Sequence, residues 1–212
     1  MLLIIELYEK KFSAGERNYF ICLSFVFTKK ESMPPIFKDS ARLNQLKAMA
    51  YYPVFNAGLF SSVLPVDGVD EIPDPNKDYK LLFKFTVGNS DSTHKSLSPG
   101  LVEIPRIINL HVASGIPISH IHIVVATHGP SMYALETNDG YRKKFGIDNP
   151  NIRLIQQLML NGTKFIACGQ AMHLFLVDKA DLYPGTKVSL TAQTVLSNYA
   201  EQGYVWYKID QE

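Results

Sequence analysis

From residue 80 onward, short apolar runs of strand length alternate with segments of helical period, and this alternation constrains the fold more than any other feature. LLFKFTV (81–87), HIHIVVAT (120–127) and the run 163–168 that ends in FIAC are nearly continuous in apolar character, the pattern of strands covered on both faces. Between the first two, Leu101, Ile104, Ile108 and Val112 share one helical face that stops at Gly115. Pro105 interrupts it, so the helix either begins near Ile104, with proline in its first turn, or is kinked there. Ile152, Ile155, Leu158 and Met159 form the face of a further helix, capped by Asn149-Pro150 and stopped by Asn161-Gly162. Residues 187–191 and 204–209 supply a fourth and fifth strand around a helix over 192–202 that Gly203 ends. Strands alternating with helices pair in parallel through crossovers. The expected fold class is therefore α/β, a three-layer α/β/α sandwich on a five-stranded, mainly parallel sheet.

The chain of 212 residues, 46% hydrophobic, can bury one sizeable core with a smaller appendage. Residues 78–212 hold the regular pattern. Before them, residues 33–77 carry Pro34, Pro35, Pro53, Pro65, Pro73 and Pro75 and no sustained period except near 41–50. They read as an extended arm or linker, which could wrap its own domain or a neighbouring subunit. In residues 1–32 the apolar run YFICLSFVF follows Lys10, Lys11 and Arg17. It reads either as an export signal or as an ordinary apolar strand or helix in an N-terminal extension; the small-residue site Ala48-Met49-Ala50 lies about twenty residues too far on for ordinary cleavage. The location is accordingly cytoplasmic or, after export, periplasmic.

The charges nearly cancel, 21 Lys plus Arg against 20 Asp plus Glu, with no basic stretch interleaved with aromatics, so nucleic acid is not expected as a partner. No apolar run reaches the roughly 18 to 20 residues that span a bilayer as a helix. Two cysteines, Cys22 and Cys168, lie far apart and lack zinc-ligand spacing, so neither a disulfide framework nor a metal site is expected. GxGxxG, P-loop and GxSxG motifs are missing from the sequence, which implies neither a nucleotide cofactor nor α/β-hydrolase chemistry.

In an open parallel sheet, ligands bind outside the carboxyl ends of the strands. The candidate residues there are Asn89, His128 with Gly129, and Cys168 with Gly169 and Gln170. Cys168 ends a strand and precedes a glycine that lets the backbone turn sharply toward a helix, a position that favours thiolate. The alternative is that it completes FIAC as an inert core residue. His128 could give or take a proton beside that sulfur, or simply be satisfied by backbone. His94, His111, His120 and His122 read as structural, and Tyr141-Arg142-Lys143-Lys144 as a solvated charge run rather than an anion contact.

INLHVASGIP, IVVATHG, YRKKFGIDNPN, FIACGQ and VSLTAQTVLSNYAEQGY, in this order and spacing, resemble DsrE/DsrF-like sulfur-relay proteins over about 130 residues. The resemblance implies a five-stranded parallel sandwich, assembly as homotrimers or hexamers, and no cofactor. It also implies that the cysteine in the position of Cys168 carries sulfur as a persulfide, with donor and acceptor unspecified. It implies no role for His128 or Gln170. The expected function is a sulfur-handling, sulfurtransferase-like protein. Its rival is a non-catalytic oligomeric module that binds a small molecule or protein on the same fold. Relay subunits typically begin at the first strand, whereas nearly eighty residues precede it here.

Overall fold

The computed structural model describes residues 39–87 and 94–209. Its centre is a five-stranded sheet of β1 (Tyr79–Phe85), β2 (Ile121–Thr127), β3 (Lys164–Cys168), β4 (Lys187–Ser189) and β5 (Val205–Ile209) in the order β4-β3-β2-β1-β5. All four pairings are parallel. Helices α1 (Ser40–Met49), α2 (Pro99–Ala113), α3 (Asn138–Phe145), α4 (Ile152–Leu160), α5 (Gly169–Leu174) and α6 (Ala192–Glu201) surround it.

Register decides which side chain meets which layer. In-register neighbours in a parallel sheet point to the same side, and successive residues to opposite sides. Phe83 pairs with Val125 and Tyr207, Val125 with Phe165, and Phe85 with Thr127 and Ile209, so these side chains share one face. Helix α2 lies on that face: a Cβ added to Gly100 would fall 2.8 Å from Phe85 and 3.2 Å from Ile209. Lys80, Leu82, Lys84, Ala126, Ile166, Cys168 and Ser189 take the other face. There the Lys80 ammonium donates to the Gln202 carbonyl at the end of α6 (3.1 Å). The chain steps from β1 out to β4 and then returns across the sheet to β5. With right-handed crossovers, that reversal puts α6 opposite α2 and α4. Leu81, Leu82 and Phe83 are thus buried from both sides, the reason the strand reads as a continuous apolar run.

The strands over 81–87, 120–127 and 163–168 foreseen in the sequence appear within a residue or two of their expected ends. Helix α2 starts at Pro99 and runs through Pro105, so the proline is interior and the Leu101 carbonyl loses its helical donor. Asn149 is not the cap of α4. Asn151 holds that position without a side-chain cap bond, and Asn149 is buried, with its amide nitrogen donating to the Glu136 (2.6 Å) and Ala134 (3.0 Å) carbonyls. The segment YRKK, read as a charge run, forms half of α3, whose N-cap Thr137 accepts from the Gly140 N–H.

Residues 51–63 pack on the domain's own α2. Asn109, fully buried, accepts from the N–H groups of Val54 (3.1 Å) and Phe55 (3.0 Å) and donates to the carbonyls of Phe55 and Ser61 (both 2.7 Å). One side chain satisfies four backbone groups that the irregular segment cannot pair internally. The apolar run 19–27 with its export reading, and Cys22, lie outside the described residues. Among the described residues no helix is long and apolar enough to cross a membrane. Asn109→Ala should cost about 2–3 kcal/mol, since it strands buried backbone groups. Urea unfolding would measure the loss, and amide exchange at Val54 and Phe55 should accelerate with it.

Candidate functional site

Cys168 is the last residue of β3 and the N-cap of α5, and it is only 5% exposed. Its register partner is Ser189, so its side chain lies on the α6 face. Gly169 is required by close approach, because a Cβ there would stand 2.9 Å from the Ser189 carbonyl oxygen. The Gln170 N–H donates to the Leu190 carbonyl (3.2 Å). That donor is therefore spent on joining the ends of β3 and β4, and the Gln170 side chain is exposed.

His128 follows β2 in extended conformation, and its N–H donates to the Phe85 carbonyl (3.1 Å), which continues the β1–β2 ladder by one residue. Because Thr127 pairs with Ala167, continuing the register sets His128 beside Cys168 on the same face, one strand spacing away, about 4.8 Å between backbones. The imidazole is half-buried, and its Nε2 is buried with no partner. Burial, and secondarily the charge of Lys84, push its pKa below the usual histidine value, so the neutral ring is favoured. Gly129 turns the chain in the left-handed region (φ +70°), and the Ser131 hydroxyl donates to the carbonyls of Phe85 (2.7 Å) and His128 (2.9 Å), pinning the loop.

Structure thus brings Cys168, His128, Gly129, Gly169 and Gln170 to the carboxyl end of the sheet, after the neighbouring strands β2 and β3; Asn89 lies outside the described residues. Sequence reading missed Lys84. It pairs in register with Ala126 on β2 and Lys208 on β5, shares the face of Cys168 and is half-buried. Its signal was present in LLFKFTV, where a lysine breaks a run that is otherwise buried on both sides.

The cations of the charge run pair with carboxylates of the chain itself. Arg142 pairs with Asp139 (2.8 Å) and Asp148, Lys143 with Asp181 (2.7 Å), and Lys144 with Glu136. Glu136 is fully buried, and burial raises its carboxyl pKa against the opposing pull of Lys144. The pair ties the loop after β2 to α3. Tyr141, also fully buried, donates its hydroxyl to the His94 carbonyl (2.8 Å). His120 and His122 lie 3.4 and 3.3 Å from Asp78, and His111 Nδ1 lies 2.8 Å from the Ile107 carbonyl. Among the described residues no group of three or more His, Cys, Asp or Glu is placed to hold a metal.

A cavity of about 230 Å³, lined by His122, Asn161, Lys164 and Tyr204 among others, sits at the amino ends of the strands, the pole opposite Cys168. A second cavity of the same volume is lined by Tyr79, His111 and Ile116 among others, so size singles out neither. Strand-end geometry favours the carboxyl pole.

Lys144→Met should destabilise the protein by about 3 kcal/mol, because it leaves a buried carboxylate without its cation; chemical denaturation would read this. In Lys84→Met the His128 imidazole should titrate at higher pH than in the parent, since a neighbouring positive charge is gone, and its ring-proton NMR signal would report the change.

The model of the DsrE/DsrF-like family matches residues 80–206, more than half of the chain and the whole span from β1 into β5. Among solved structures, the protein of unknown function MTH1491 from Methanobacterium thermoautotrophicum is similar at 18% identity and a TM-score of 0.44, over 62% of this chain and 99% of its own. No curated protein matches. On the family match, which spans the sheet and the strand-end residues Cys168 and His128, the chain belongs to the DsrE/DsrF-like family.

Proposed function

We propose that the protein carries sulfane sulfur as a persulfide on Cys168 and passes it to an acceptor thiol. The observation that carries this reading is the placement of a cysteine at the carboxyl end of β3 with His128 beside it on the same face, inside the span of the family match. The Cys168 thiolate attacks the terminal sulfur of a donor, a new S–S bond forms, and the donor's own bond to that sulfur breaks with the electron pair leaving on the donor. An acceptor thiolate then attacks the outer sulfur and returns Cys168 to the thiolate. No external oxidant or reductant enters either step. The His128 Nε2, buried and without a partner, is the polar group available to hold the outer sulfur, whereas the Gln170 N–H is already used by Leu190. Following the family resemblance, the same reading has the domain work as a homotrimer or hexamer.

The second reading, a binding module in which Cys168 is merely packed, is favoured by its 5% exposure. Intact-mass spectrometry of protein purified anaerobically, before and after incubation with polysulfide, separates the two. A gain of one or two sulfur atoms, removed by reductant and missing from a folded Cys168→Ser variant, is the expected result. If that variant loads fully, or if the native thiol reacts with an alkylating reagent only after unfolding, the carrier reading fails.

A further inference from the structure

Residues 64–72, between the segment docked on α2 and the start of β1, are exposed without exception. They make no hydrogen bond or ion pair with any other described residue. Yet Val66, Val69 and Ile72 are apolar and 73, 54 and 69% exposed, with Leu64 before them. A connector that is merely solvated has no use for such side chains, since polar and glycine-rich sequence does that task. Exposed apolar residues grouped on one segment mark a binding surface. Pro65 and Pro73 restrict the backbone, so less conformational freedom is lost when the segment docks. Its charge is one-sided as well. From Ala48 to Asn76 the sequence has no Lys, Arg or His, while Asp67, Asp70, Glu71 and Asp74 fall close together. Among the described residues only Asp74 of these four has a cation within reach, Lys77.

The complement of this pattern lies at the β4 side of the sheet. Strand β4 is an edge strand paired with β3 alone, so the backbone groups of its outer edge are open. Val188 is exposed and Leu190, which follows the strand, is 75% exposed. Lys187 is exposed, and Lys164 of β3 shares its face, two residues before its register partner Ile166. Neither lysine has an ion pair among the described residues. We infer that residues 64–72 of one copy of the chain lie along the β4 edge of a second copy. Val66, Val69 and Ile72 then cover Val188 and Leu190, and Asp67, Asp70 and Glu71 meet Lys164 and Lys187. An extended segment that joins an edge strand gains main-chain hydrogen bonds as well as side-chain contacts. Gly68 bends the segment (φ +69°), which limits such pairing to a short run, as the three residues of β4 require. Ser189 of β4 is the register partner of Cys168, so the docked arm passes about 10 Å from that strand's backbone, two strand spacings away. The inference goes beyond the persulfide reading and stands without it.

Mixing isotope-labelled and unlabelled full-length chains tests the contact directly. A zero-length carbodiimide cross-link should join Asp67, Asp70 or Glu71 to Lys164 or Lys187, and the linked peptides should include pairs of mixed isotope. Light scattering then reads the assembly. The combined variant Val66→Asp, Val69→Asp, Ile72→Asp changes exposed side chains only, and should raise the dissociation constant roughly tenfold or more. Leu190→Asp should do the same from the other side. Lys187→Glu should weaken association, and adding Asp70→Lys and Glu71→Lys to it should restore part of the loss. A parent that stays monomeric, or cross-links confined to pairs of one isotope, overturns the inference. An oligomer that the arm variant leaves unchanged is held by another surface: this inference then falls, and the assembly expected under the carrier reading stands. Mixed-isotope links in a protein whose Cys168 takes no sulfur from polysulfide uphold the arm contact and sink the carrier reading.

Discussion

Parallel pairing of β1 with both β2 and β5 is the constraint on which the rest depends. It fixes a common parity across the sheet: odd-numbered residues of β1 face α2, and even-numbered ones face α6. A shift of one residue would move every side chain to the opposite layer. Burial on both faces holds the register, since Leu81, Leu82, Phe83 and Phe85 are all essentially inaccessible. The same parity puts Cys168, His128 and Lys84, from three different strands, on one face. The candidate site is a consequence of the core's register rather than a separate device.

The polar interior serves the strand-end loops. The loop after β2 holds His128, turns at Gly129 and passes through a 3₁₀ segment, Gly129–Leu135, before reaching buried Glu136. Such a path exposes backbone groups that no strand or helix satisfies. Ser131 and Asn149 donate the missing bonds to the carbonyls of His128, Ala134 and Glu136, and the Lys144–Glu136 pair closes the loop against α3. A buried ion pair contributes little net stability, but breaking it is costly, so it favours one arrangement of the loop over its alternatives. Phe145, with its ring centroid 4.5 Å from that of Tyr141 and 5.4 Å from that of Tyr133, supplies apolar packing around it.

Asn109 performs the corresponding task on the α2 face. Residues 51–63 lack the length and period for regular pairing beyond one antiparallel bridge, Tyr51 to Val63. They gain order by burying Phe55 and Val63 and by handing four backbone groups to one amide. The prolines scattered over residues 33–77 mark the arm that contains this segment as irregular, but say nothing of where it docks.

The sequence by itself determined the fold class. The alternation of LLFKFTV, HIHIVVAT and FIAC with helical faces is local, and the hydrophobic burial that produces it is read directly from side-chain type. It also located Cys168, His128 and their glycines, because strand ends follow from strand lengths. Only the tertiary structure decided which of these residues meet. Register set His128 beside Cys168, brought Lys84 and Lys208 together from strands more than a hundred residues apart in sequence, and spent the Gln170 N–H on Leu190. The charges of YRKK could not be assigned from sequence either, since Glu136 and Asp181 reach them through the folded loops. Pairwise electrostatics and backbone satisfaction depend on distances through space, and no spacing along the chain encodes those.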